Sequence, residues 1–163
     1  MTTMLVTTVA FAQGQNKIGY IDLEALIYQM PDMQHVRQQL KAFTQTKQQA
    51  GQKLLEAYQT KQQKYSEEAP TQTQNINKQR GEELQALQQK IQLEARKAEQ
   101  EVQKKQAELM NPLLSKVQKA IDSVANKAGY DIVLKSEAII YFKSQADDLA
   151  PKVMKLLGIK PKK

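Results

Sequence analysis

Few side chains in this sequence could hold a metal, move a proton or attack a carbonyl, and they are poorly placed for it. His35 is the only histidine and there is no cysteine. A metal site would therefore rest on His35 and carboxylates alone, without thiolates. His35 stands among Gln34 and Arg37 at the start of a helical stretch, where a surface role is expected of it. The carboxylates come as adjacent pairs, Glu67-Glu68, Glu82-Glu83 and Asp147-Asp148. Neighbours on a helix point to different sides, so these read as solvated charge or helix caps and not as catalytic dyads. Ser66, Ser115, Ser123, Ser136 and Ser144 have no nucleophile-elbow context. Gly14 and Gly19 are isolated, and no phosphate-cradling loop follows a strand. The expectation is a protein with no catalytic residue, no metal and no cofactor, acting by contact.

Two kinds of residue could make such contacts. The basic ones are Lys78 and Arg80, Arg96-Lys97 and Lys104-Lys105, with Glu94, Glu99 and Glu101 close by. Lys and Arg exceed Asp and Glu by twelve to eight over residues 41–105. Nucleic-acid binding asks for denser basic residues with interleaved aromatics, and no such partner is expected. The whole chain carries a formal charge of +7 and a pI near 9.5, which suits acidic client proteins or anionic lipid. The apolar contacts are Leu54, Tyr58, Tyr65, Leu84, Leu87 and Ile91. Some are expected to zip two helices together, and others to touch a partner.

These residues lie in a stretch built unlike its flanks. From Phe43 to Lys105 the sequence is mostly Gln, Lys, Glu and Ala, broken only by Gly51, Pro70 and Gly81. That composition favours long helices and cannot bury a globular core. Val36, Leu40, Phe43, Lys47, Ala50, Leu54, Ala57 and Lys61 follow one another at gaps of four and three, a heptad seam. Lys at two seam positions predicts a loose, wet interface. Pro70 ends the first helix, and a second resumes near Asn75, so the two fold back as a hairpin about 40 Å long. Ile76, Leu84, Leu87, Ile91, Ala95, Ala98, Val102 and Leu109 form its returning seam, with a period drifting above 3.5. Pro112 predicts a kink or a fresh helix start.

The strand-forming segments lie outside the hairpin. Ile18–Asp22 reads as one strand, and Asp131–Leu134 and Ala138–Phe142 as two more around a turn at Lys135–Glu137. Leu23–Met30 reads as a short helix, with Pro31-Asp32 opening the next. Gly129 is a helix stop, Asp147-Asp148 can cap a last helix over Leu149–Leu157, Gly158 ends it, and Lys160–Lys163 is a tail. The expected fold class is α+β, mostly α: a long antiparallel helical-hairpin, coiled-coil arm projecting from a small β-rich body built from both chain ends. Residues 13–163 make one domain, with the body at 17–42 and 106–160 and the arm at 43–105. Ile132, Val133, Ile139, Ile140, Tyr141 and Phe142 are too apolar for a solvated sheet, and with Ile18, Tyr20, Ile21 and Leu134 they are the candidate residues of an assembling body. Pairing with copies of the chain would cover their edges. Met4–Ala12 is a short apolar run ending in Ala10-Phe11-Ala12, a signal-peptidase pattern, so residues 1–12 are expected to be an export signal. No Lys or Arg precedes the run, and the alternative is a signal cut short at its front or a simple apolar tail.

The segments KIGYIDLEALI from Lys17, NPLLSKVQKAIDSVANKAGYDIVL from Asn111 and SEAIIYFKSQADDLAPKVMKLLG from Ser136 resemble the Skp/OmpH family of periplasmic chaperones. They cover both ends of the chain beyond the apolar run. The arm matches in composition and length, as any solvated coiled coil would. The resemblance implies a homotrimer whose β-rich bodies assemble and whose arms enclose a cavity. It implies an ATP-independent holdase that sequesters unfolded outer-membrane β-barrel proteins in the periplasm, with contact to anionic lipid or lipopolysaccharide as a further expectation. The other reading is a structural coiled-coil adaptor joining two fixed partners.

Overall fold

The computed structural model describes residues 16–141 and 147–160. The apolar run Met4–Ala12, Phe142 and the tail from Pro161 lie outside the described residues. In order, the elements are strand β1 (Ile18–Ile21), helix α1 (Leu23–Gln29), helix α2 (Asp32–Glu68), a 3-10 turn (Ala69–Thr71), helix α3 (Gln74–Ala128), strand β2 (Ile132–Lys135), a second 3-10 turn (Ser136–Ala138), strand β3 (Asp147–Asp148) and helix α4 (Ala150–Leu157). They fall into two compact units. One takes the described residues up to Gln29 and those from Val117 onward, and the other spans Met30–Lys116.

The first unit holds a parallel sheet in the order β2-β1-β3. Ile18 aligns with Ile132 and Ile21 with Lys135, while Gly19 and Tyr20 align with Asp147 and Asp148. This corrects the expected hairpin of Asp131–Leu134 with Ala138–Phe142. After β2 the chain turns through Ser136–Ala138, and Ile139–Tyr141 take no strand partner among the described residues. The apolar run at Ile139–Tyr141 has high strand propensity, but pairing decides the sheet. The third strand is instead two aspartates, drawn in by backbone bonds to β1 rather than by propensity. The Leu149 N–H extends that edge by donating to the Tyr20 carbonyl at 2.9 Å. Asp148 also caps α4 as expected, its Oδ1 accepting the Ala150 N–H at 2.8 Å.

The core of this unit is small and dry. Val117, Leu149 and Val153 are wholly buried, and Ile21, Leu26 and Ile121 nearly so. Gly19 makes this packing close: a Cβ there would lie 2.2 Å from Leu149 Cδ1 and 3.1 Å from the Tyr130 ring. Gly129, with φ +68°, ends α3, and the next N–H, that of Tyr130, returns to the Ala125 carbonyl at 3.0 Å. That is the left-handed cap a helix end needs to satisfy its last carbonyls. A polar lock fixes β3. The Tyr130 hydroxyl donates to Asp147 Oδ2 at 2.7 Å, Lys152 Nζ donates to that hydroxyl at 3.2 Å, and Lys17 Nζ lies 4.2 Å from the Tyr130 ring centre. Burial and the Asp147 carboxylate raise the Tyr130 pKa, and the same hydrogen bond lowers that of Asp147.

The second unit is the helical hairpin. Pro31 occupies the cap position of α2, where its missing N–H costs nothing. Met30, Val36 and Leu113 are buried in this unit. Beyond them, from Arg37 to Pro112, every residue is half-buried or exposed. Pro112 neither breaks nor restarts α3, which runs through it. It stands on an exposed position beside solvent, so the carbonyl it leaves without a donor can be hydrated. Among the described residues no helix is long and apolar enough to cross a membrane.

Candidate functional site

Polar pairs set the register of the hairpin. Lys116 Nζ lies 2.7 Å from Asp32 Oδ2, Lys47 pairs with Glu101, Lys61 with Glu83 and Arg80 with Glu68. From Asp32 to Glu68 the partner walks back from Lys116 to Arg80 by the same number of residues, so α2 and α3 are antiparallel without a slip. The expected seam holds in part. Leu40, Phe43, Lys47, Leu54 and Lys61 are half-buried, but Ala50 and Ala57 are exposed, and the stripe continues through Tyr58 and Tyr65 instead. A nearly straight helix repeats every 3.6 residues and drifts out of a 3.5-residue frame, which moves the contact from position 57 to 58.

The tip carries the densest chemistry. Glu83 accepts hydrogen bonds from both Lys61 and Tyr65. The Arg80 guanidinium lies 4.6 Å from the Tyr65 ring centre, and Asn77 Nδ2 donates to the Ala69 carbonyl at 3.0 Å. The bond from Lys61, and then that from Tyr65, lowers the Glu83 pKa; Glu83 in turn raises those of Lys61 and Tyr65. This cluster closes the reversal.

Among the sequence-predicted contact residues, Leu54, Tyr58, Tyr65, Leu84, Leu87 and Ile91 are all half-buried. Leu54 and Ile91 also line an open groove of about 760 Å³ between the helices. Its walls include Gly51 and Leu55 on α2 and Ala95, Ala98 and Val102 on α3. The basic candidates divide. Lys78, Arg96 and Lys97 are exposed, whereas Arg80 is spent on Glu68 and Tyr65. Sequence reasoning missed the structural work of Lys47, Lys61, Glu68, Glu83 and Glu101. The signal was a lysine on the seam with a glutamate at a matching distance beyond Pro70.

In the sheet-bearing unit, the body candidates also divide. Ile21 is buried, while Tyr20, Val133 and Ile139 are half-buried. Ile18 and Ile132 stay about half exposed, Leu134 more than a third, and Ile140 and Tyr141 almost fully. A second groove, about 540 Å³, runs beside β2 and is lined by Ile21, Ile121, Tyr130, Val133 and Leu134 among others. His35 is exposed, and among the described residues no group of acidic and histidine side chains is placed to hold a metal.

The chain matches the family described as outer membrane protein (OmpH-like) over residues 17–157. No curated protein sequence matches it. A solved structure from Caulobacter crescentus CB15, described as a candidate outer membrane chaperone (OmpH-like), is similar in fold, with a TM-score of 0.75 at 16% identity. The alignment covers 94% of this chain and 90% of that one. The match spans β1 through α4 and so takes in both the parallel sheet and the hairpin, and on that ground the chain belongs to the OmpH-like family.

Proposed function

We propose that this chain is an ATP-independent holding chaperone that keeps unfolded outer-membrane β-barrel proteins from aggregating in the periplasm. The observation that carries the reading is a long hairpin without a dry core: from Arg37 to Pro112 no side chain is buried. A surface built that way is available for contact along its whole length. Family membership and the description of the solved structural relative support the same reading. Clients are held by many weak contacts along the half-buried stripe, Leu54, Tyr58, Leu84, Leu87 and Ile91, which suits varied partners and adds up by avidity. The exposed Lys78, Arg96 and Lys97 attract acidic clients, anionic lipid or lipopolysaccharide at long range.

The working form in this proposal is a homotrimer whose hairpins, residues 43–105, enclose the client. Residues 17–42 and 106–160 form the assembling body, and residues 1–12 are removed on export. The support for self-association is the exposed apolar surface around β2, at Ile132, Leu134, Ile140 and Tyr141, together with the unpaired backbone of the sheet edges.

The test is to dilute a urea-unfolded outer-membrane barrel into buffer with the protein and follow light scattering. Scattering should stay low with or without ATP, and raising salt should slow capture, because exposed charges are screened beyond roughly 10 Å at 0.1 M salt. A requirement for ATP, or no protection at all, would refute the holdase. Multi-angle light scattering should give three times the subunit mass, and a monomer would refute the enclosing assembly.

A further inference from the structure

The chain has no cysteine, so its sulfur chemistry falls to methionine. Among the described residues these are Met30, Met33, Met110 and Met154, and the first three stand where the hairpin begins and ends. Met30 is 2% exposed and Met154 9%, whereas water still reaches Met33 and Met110, which are half-buried.

Helix spacing puts both half-buried methionines on the seam. Met33, Val36, Leu40 and Phe43 follow at gaps of three and four on α2, and Met110 stands one turn before Leu113 on α3. The pairs Asp32–Lys116 and Lys47–Glu101 match each step forward on α2 with a step back on α3. In that register Met110 stands opposite the turn from Val36 to Leu40, and Met33 opposite the turn from Leu113 to Lys116. Val36, Leu113 and Met30 are the buried residues of the hairpin unit. Met33 and Met110 therefore border the one dry patch that this unit has.

A thioether that water reaches is open to peroxide. The sulfur lone pair attacks one oxygen of hydrogen peroxide and the O–O bond breaks. That oxygen stays on sulfur, and the other leaves as water. Sulfur is oxidised and the peroxide is reduced. The sulfoxide is polar and chiral where the thioether was apolar and flexible. Its oxygen seeks a donor, and the side chains of Val36, Leu40 and Leu113 have none. From Arg37 to Pro112 no other side chain is buried, so the hairpin has no second dry patch to hold its base together.

We propose that Met33 and Met110 are an oxidation site that sets how firmly the base of the hairpin is held. Peroxide converts them to sulfoxides ahead of Met30 and Met154. The sulfoxides loosen α2 from α3 at the base, and the sheet-bearing unit stays folded. A methionine sulfoxide reductase, taking electrons from a thiol, returns the site to the thioether. The inference goes beyond the holdase reading and does not depend on it.

The experiment treats the full chain with graded hydrogen peroxide, maps sulfoxides by peptide mass spectrometry and follows backbone amide exchange. Met33 and Met110 should oxidise several times faster than Met30 and Met154. Exchange over residues 33–43 and 106–113 should then quicken on the order of tenfold, as a polar group without a partner favours local opening. Amides of β1 and β2 should keep the parent rate. Reductases for both sulfoxide epimers should restore parent exchange. Met33→Leu with Met110→Leu keeps the volume and the apolar character, and its exchange should not respond to peroxide. Met33→Gln with Met110→Gln should exchange like the oxidised parent with no peroxide added. Circular dichroism identifies a variant that has lost helix, and reversal by the reductases on the parent then decides. Oxidation of Met30 as fast as Met33 and Met110 overturns the site. So does unchanged exchange in a chain with both sulfoxides, or quickened exchange in the peroxide-treated leucine variant. Equal quickening in β1 overturns its confinement to the hairpin.

Discussion

The sheet-bearing unit and the hairpin are stabilised in opposite ways. In the first, a few side chains, Val117, Leu149 and Val153 above all, are removed from water completely. In the hairpin, α2 and α3 meet through a stripe that water still reaches, and charged pairs fix their register. Pairs that water still reaches contribute little each. What they supply is alignment, while helix propensity over many turns supplies persistence. One region therefore spends its apolar residues on folding, and the other keeps them within reach of a partner.

The comparison breaks if truncating the two apolar sets costs the same. Leu149→Ala, at a fully buried position, should cost about 3 kcal/mol of stability in urea unfolding. Leu87→Ala, at a half-buried hairpin position, should cost no more than about 1 kcal/mol. Equal losses would mean that the hairpin has a core of its own. Tyr130→Phe removes the hydroxyl that ties Asp147 and should cost about 1 kcal/mol, with earlier exchange of the β3 amides. Gly51→Ala should raise stability by about 0.5–1 kcal/mol, because the position is mid-helix with open space around its Cβ. A loss there would show that the groove walls are closer than they stand in the free chain.

The smallest effect is local and depends on pH. Glu83 has its pKa lowered below the ordinary 4.5, first by the hydrogen bond from Lys61. A depressed carboxylate pKa stabilises the folded form above the unfolded value, and that contribution is lost as pH falls through the folded value. Acidification from about pH 5 to about pH 3 should therefore loosen the tip. In an NMR titration the Tyr65 and Arg80 amides should move with Glu83, and Glu83→Gln should abolish the shared step. Amides of α4 that followed the same step would show that protonation loosens the whole chain and not the tip alone.

Much of this division was legible in the sequence. The change of composition after Phe43, the break at Pro70, the stops at Gly129 and Gly158 and the last helix behind Asp148 each have a local physical cause and stand where expected. The sheet was less legible. Ile139–Tyr141 look like a strand by propensity, yet Asp147-Asp148 form the third strand, because the backbone of β1 selects its partners across the whole chain. The seam was legible except at Ala50 and Ala57, with Tyr58 taking the contact in place of Ala57, since a heptad frame and a 3.6-residue helix diverge along the chain. The contact surface was half legible. Its apolar points were visible, but the groove beside Gly51 depends on which stripe of α2 meets which stripe of α3, and that follows only from the register.

The register also fixes the most direct test. Removing Gln48–Lys61 together with Leu87–Gln100, which stand opposite in the observed alignment of α2 and α3, shortens the hairpin; it takes Lys61 from the tip but leaves the Tyr65–Glu83 and Arg80–Glu68 pairs and the sheet-bearing unit untouched. The shortened chain should unfold as cooperatively as the parent and keep its oligomeric state. It should lose protection of a large unfolded outer-membrane barrel in light scattering before it loses protection of a small one. A shortened chain that protects both barrels as well as the parent would contradict the claim that the hairpin is where clients are held.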